Sequence, residues 1–139
     1  MGSPLKSHAD ALSAALADEL LPTRRRASAV RSAERLRQWF GLSQSEFADM
    51  VGVSRQTVNR WKMTGTGPTP DSAEAGLLAL LAQVKAIAEQ TWDSQDDFRR
   101  WLRAPLPILR MKRPIDYFKP SGLTVVLDLV RAEAGGGYS

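Results

Sequence analysis

The chain contains no cysteine and a single histidine, His8. Without cysteine there are no disulfides, no thiolate zinc sites and no cysteine nucleophile. One histidine near a terminus rules out a multi-histidine metal centre and a histidine-based catalytic triad. Long apolar runs are also missing. The longest, 75–82, is interrupted by Gly76 and falls well short of the roughly 18–20 residues needed to span a bilayer. The first residues show no basic start followed by a continuous apolar block, so no secretory leader is expected and a cytoplasmic location is. No Asp-rich loop has calcium-site spacing, and Gly65-Thr66-Gly67-Pro68 is too short for a phosphate loop and lacks the following lysine. Asp96 and Asp97 are adjacent, so on a helix they diverge by about 100° and share no site. They fit instead in the first turn after Ser94, where the helix dipole favours acids. No nucleophile–base pairing emerges. The chain reads as a non-enzyme with no metal site and no cofactor.

The chain does have an uneven charge. It has 139 residues, with 19 Lys plus Arg against 15 Asp plus Glu, a net charge of +4. That length fits one domain or two very small ones. Residues 99–119 hold Arg99, Arg100, Arg103, Arg110, Lys112, Arg113 and Lys119 against Asp116 alone. Arg55, Arg60 and Lys62 follow one another with no acid between them, whereas 71–97 carry an excess of acids. Such asymmetry suggests directed contacts with anionic partners, nucleic acid above all.

Apolar spacing predicts an all-α fold. Leu5, Ala9, Leu12, Leu16 and Leu20 form one helical stripe, ended by Pro22. Residues 24–40 place Ala29, Ala33, Leu36 and Phe40 on one face with arginines over much of the rest, and Gly41 follows as a C-terminal cap. Ser43 and Glu46 have capping-box spacing ahead of Phe47, Ala48 and Val51. After Gly52, Ser54 caps a second short helix with Val58 and Trp61 inward. The stretch 64–70 is the clearest loop, which suggests three parts: an N-terminal helix or arm over 1–23, a unit over 24–68 and a second unit over 71–139. Asp71 and Glu74 repeat the capping-box spacing before Leu77, Leu80, Leu81, Val84, Ile87 and Ala88. Ser94 starts a helix bearing Phe98, Trp101 and Leu102. The prolines of 105–120 allow only short turns. A last helix carries Leu123, Val126, Leu127 and Val130 before the glycines at 135–137.

The stretch 43–62 has the layout of a helix-turn-helix: two short helices, a glycine at the turn and a small Ala48 at the crossing. On the second helix Arg55, Gln56, Asn59 and Arg60 fall on the exposed side. Arg bridges guanine O6 and N7, and Gln or Asn bridges adenine N6 and N7, so these are groove-reading side chains. Gln44 is placed to hold a phosphate and support Gln56. Ser54, Thr57 and Lys62 complete the set, Ser54 as cap and phosphate donor and Lys62 with the arginines of 24–37 as backbone contacts. A plain helical hairpin with a polar surface stays open on spacing alone. A dimer is expected, because sequence readout is usually spread over two half-sites. The 5–20 and 77–88 stripes are candidate interfaces.

Gln44, Ala48, Gly52-Val53-Ser54, Val58 and Trp61 at these spacings resemble the Xre helix-turn-helix family. Asp97 to Pro105, Leu109, Arg113 to Phe118, Gly122, Val125-Val126 and Leu129 to Glu133 are similar to the toxin-binding domain of Xre/MbcA/ParS-type antitoxins. The resemblance spans about 25–139. It departs from the family at Met111-Lys112, where glycines are frequent, and at the three terminal glycines. It implies an antitoxin that binds double-stranded operator DNA, represses its own operon and blocks a RES-domain toxin that consumes NAD. Arg110, Lys112, Arg113, Arg131, Glu133 and Tyr138 would face that toxin, the last from a tail that orders on binding. The alternative is a stand-alone dimeric repressor. No membrane contact is expected in either case.

Overall fold

The computed structural model describes residues 31–136. The predicted arm over 1–23, the arginines at 24–26 and Tyr138 lie outside them. The described residues form six α-helices and two short 3-10 turns. Residues 31–40 belong to α1. Then come α2 (Gln44–Val51), α3 (Arg55–Thr64), α4 (Ala73–Thr91), α5 (Gln95–Leu102) and α6 (Leu123–Ala134), with the turns Pro107–Leu109 and Pro114–Tyr117 between α5 and α6. None of these helices is long and apolar enough to cross a membrane.

Local chemistry explains most boundaries. The Ser43 hydroxyl accepts from the Glu46 amide at 3.0 Å, and the Ser43 amide donates to the Glu46 carboxylate at 2.9 Å. That reciprocal pair satisfies two donors that a helix start leaves open. Gly52 ends α2 at φ +80°, and the amides of Gly52 and Val53 both donate to the Ala48 carbonyl at 2.9 and 3.0 Å. This left-handed cap turns the chain sharply and folds half-buried Val53 back onto the core. Ser54 then opens α3 by accepting from the Thr57 amide at 3.1 Å.

The start of α4 differs from the sequence reading. Its cap is Ser72, whose hydroxyl accepts from the Ala75 amide at 3.1 Å, and not Asp71. Ser72 has the extended backbone that a cap requires (φ −75°, ψ 164°), whereas Asp71 sits in the left-handed region at φ +67°. The stripe on α4 is also rotated from the expected one. Leu78, Leu81, Val84 and Ala88 are buried, and Leu77, Leu80 and Ile87 are half-buried along their flank.

A single hydrophobic cluster joins both sides of the 64–70 loop. Phe40, Phe47, Met50 and Val58 share it with Leu81, Phe98, Phe118 and Val126. Its centre is aromatic. The Phe40 ring stands edge-on to Phe98 and to Phe118, each 5.7 Å between centroids, and Phe98 contacts Trp39 and Trp92 at 5.4 and 4.9 Å. Lengthwise, α4 packs chiefly against α6, while α2 packs on both α3 and α4.

Candidate nucleic-acid and partner interfaces

The second helix of the α2–α3 pair is held from within by buried Val58 and half-buried Trp61. With that face inward, helical periodicity turns Arg55, Gln56, Asn59 and Arg60 to solvent, and all four are exposed. Gln44, half-buried at the start of α2, lines the same open depression as Arg55, Gln56 and Asn59. Among the described residues Arg55 and Arg60 enter no ion pair, so their positive charge faces outward uncompensated. Asn59 donates to Met63 Sδ at 3.6 Å, a weak contact that leaves its carbonyl oxygen available.

Three other members of the predicted set have work inside the fold. The Thr57 hydroxyl lies 3.0 Å from the Ser54 hydroxyl, so the cap and its neighbour are hydrogen-bonded to each other. Lys62 stands 3.9 Å from Glu34, and Glu34 belongs mainly to Arg37, which reaches it at 2.6 Å and also donates to the Leu42 carbonyl at 2.9 Å. Hydrogen bonding from Arg37 holds the Glu34 carboxyl below the usual glutamate range, against the opposing effect of burial. Of the arginines on α1, Arg37 is thus a structural brace, while Arg31 and Arg35 remain exposed.

The cations of 99–119 divide in the same way. Arg99 donates to the carbonyls of Trp39 at 3.0 Å and Gln38 at 2.5 Å, and Gln95 reaches the Trp39 carbonyl at 2.7 Å. Arg103 donates to the Gly41 carbonyl at 3.2 Å and to both oxygens of Glu46 at 3.1 Å. These groups cap the C-terminal end of α1, where helical carbonyls lack partners and positive charge is favoured. Arg99 and Arg103 therefore serve the fold rather than a ligand. The sequence carries a signal for this: Gln95, Arg99 and Arg103 recur every four residues, along one face of α5 and onto its C-terminal cap. Arg103, the leading cause, also pulls the Glu46 carboxyl below its ordinary range.

Arg110, Lys112 and Arg113 share one loop and are exposed, whereas Arg131 (exposed) and Glu133 (half-buried) lie on the last turns of α6. Arg113 is committed to Asp116. Its amide donates to that carboxylate at 2.9 Å and its guanidinium at 2.8 Å, which locks the Pro114–Tyr117 turn and lowers the Asp116 carboxyl from its usual value. Beside these cations lie two exposed apolar side chains, Ile108 and Met111.

Residues 34–75 match the helix-turn-helix family model, and residues 88–136 match the model of the antitoxin Xre/MbcA/ParS C-terminal toxin-binding domain. Among solved structures, the chain is similar in fold to a chain of the crystal structure of the M. tuberculosis MbcT-MbcA toxin-antitoxin complex. The identity is 20% and the TM-score 0.55, and the match covers 79% of this chain and 96% of that one. No curated protein matches the chain.

Proposed function

The chain is an Xre/MbcA/ParS-type antitoxin, a helix-turn-helix followed by that family's toxin-binding domain, and from that premise we propose that it neutralises a RES-domain, NAD-consuming toxin by direct binding and represses its own operon. It acts without catalysis: one face occupies the toxin and another occupies the operator. Support for the toxin side is the match over 88–136 and the likeness to a chain of a toxin-antitoxin complex. The observation that carries the operator side is the outward fringe of Arg55, Gln56, Asn59 and Arg60 at the start of α3. A surface kept only for solubility has no need of two amides and two uncompensated guanidiniums at groove-reading spacing. Readout of a full operator requires two such helices about one DNA turn apart, so the active species is a homodimer.

The test is co-expression with the product of the neighbouring gene. A stable complex that relieves growth arrest, and that retards a fragment of the shared promoter, is the expected result. A protein that retards the promoter but forms no complex and relieves no arrest is a stand-alone repressor, and the toxin half of the reading fails. Operator affinity falls by about 10³-fold or more between roughly 50 and 200 mM salt if six or more phosphates are contacted.

A further inference from the structure

The segment between α5 and α6 carries a rigid, solvent-facing knob. The amides of Leu109 and Met111 donate to the Leu106 carbonyl at 3.0 and 2.9 Å. The Arg110 amide donates to Pro107 at 2.9 Å and the Lys112 amide to Leu109 at 3.1 Å, and the Leu106 amide closes the ring on Lys112 at 3.0 Å. Buried Leu109 pins the knob to the core, and an isolated antiparallel bridge between Leu106 and Lys112 shuts its base. Two features mark the tip of the knob. Arg110 and Met111 both take left-handed backbone, at φ +56° and +68°, a conformation that costs energy for any residue with a Cβ and that glycine would adopt freely. In addition, Ile108 is 54% and Met111 62% exposed, two of only three large apolar side chains so exposed among the described residues.

Strained backbone that persists tends to mark sites where a side chain must be presented in a set direction. We propose that Ile108 and Met111 are the apolar anchors by which this chain docks on its protein partner, entering an apolar recess whose rim carries carboxylates facing Arg110 and Lys112. The inference rests on the antitoxin reading and deepens it. Met and Arg are enriched at interface centres, and a knob already fixed by its own hydrogen bonds loses little entropy on docking. The charges set the partner's chemistry. Among the described residues neither Arg110 nor Lys112 enters an ion pair. A partner surface without acids would strip their hydration and return nothing.

The experiment uses the full chain and the protein encoded by the neighbouring gene, with Kd measured by calorimetry for wild type, Ile108→Ser, Met111→Gly and Lys112→Glu. Each variant is expected to weaken the complex by about tenfold or more, as truncation of an interface anchor does. Melting midpoints should hold, and Met111→Gly should melt no earlier than wild type, because glycine relieves the left-handed backbone. That combination, tighter or equal folding with weaker binding, is not produced by a merely structural loop. Wild-type affinity in Ile108→Ser and Met111→Gly would overturn the assignment while leaving the antitoxin reading intact. Variants that lose operator affinity but keep the partner would assign the knob to nucleic acid and also overturn it. If wild type forms no complex at all, the antitoxin reading falls, and this inference falls with it.

Discussion

At the scale of the residue, the proposed recognition chemistry rests on a few exposed side chains of α3. Arg55 and Gln56 contact nothing that the fold needs, so their replacement should leave stability alone and act only on DNA. Arg55→Ala and Gln56→Ala are each expected to lose about 1–3 kcal/mol of operator affinity and to relax base preference at one position, read by gel retardation on a panel of single-base operator variants. Gly52 has the opposite character. An added Cβ there would lie 2.8 Å from Pro120 Cγ, on a backbone already at φ +80°. Gly52→Ala should therefore cost about 1–2 kcal/mol or more in urea unfolding, with the α2–α3 angle disturbed as well. Gly122 is tighter still, since a Cβ would meet the Tyr117 carbonyl oxygen at 2.3 Å, and only glycine lets α6 start so close to the preceding turn.

At the scale of the element, helix ends are where sequence and structure agree best and where they part. Ser43, Gly52, Ser54, Ser94 and Gly135 mark helix ends by local rules that need no knowledge of the rest of the chain, and the structure uses all of them. Asp71 failed because two adjacent residues both suit a cap, and the turn made by the Ser72 amide on the Thr69 carbonyl at 3.1 Å decided between them. Leu78 was passed over because α4 is apolar on most sides, and only its neighbours α2 and α6 fix which stripe turns inward. The long-range caps on α1 were invisible for the same reason: Arg99 and Trp39 are distant in sequence and meet only in the fold. In the candidate site, the exposed fringe of α3 was legible from period alone, whereas the division of the basic residues into braces and exposed charges was not. The Arg103–Glu46 pair gives a pH prediction. Because Arg103 lowers the Glu46 carboxyl, the pair contributes fully above the unfolded-state value near 4.3 and is lost as pH falls below it through the folded-state value. Both side chains are more than a third open to water, at 41% and 34%, so the contribution is less than about 1 kcal/mol. The gap between the melting midpoints of wild type and Arg103→Ala should narrow as pH drops below about 4, leaving the part owed to the Gly41 carbonyl, and a constant gap would show that the carboxylate charge is not what Arg103 holds.

At the scale of the whole molecule, the question is whether the two matched regions behave as independent modules. They meet in one cluster, and the residues at its centre come from both: Phe40 and Phe47 before the 64–70 loop, Phe98 and Phe118 after it. The long helix α4 makes the division harder still, since it packs on α2 and also backs α6. A DNA-binding half cut at the loop would expose Phe40, Met50 and Val51, side chains now at most 2% accessible. Unfolding should therefore be a single transition in which helical circular dichroism and tryptophan emission coincide. The emission samples both sides, because Trp39 and Trp61 precede the loop while Trp92 and Trp101 follow it. Phe98→Ala is expected to lower stability by roughly 3–5 kcal/mol. Although Phe98 lies outside the helix-turn-helix match, operator binding in that variant should vanish at the same lowered urea concentration as partner binding. Two separated transitions, or a 31–72 fragment that binds operator with undiminished affinity, would show instead that the shared aromatic centre is a seam between autonomous halves.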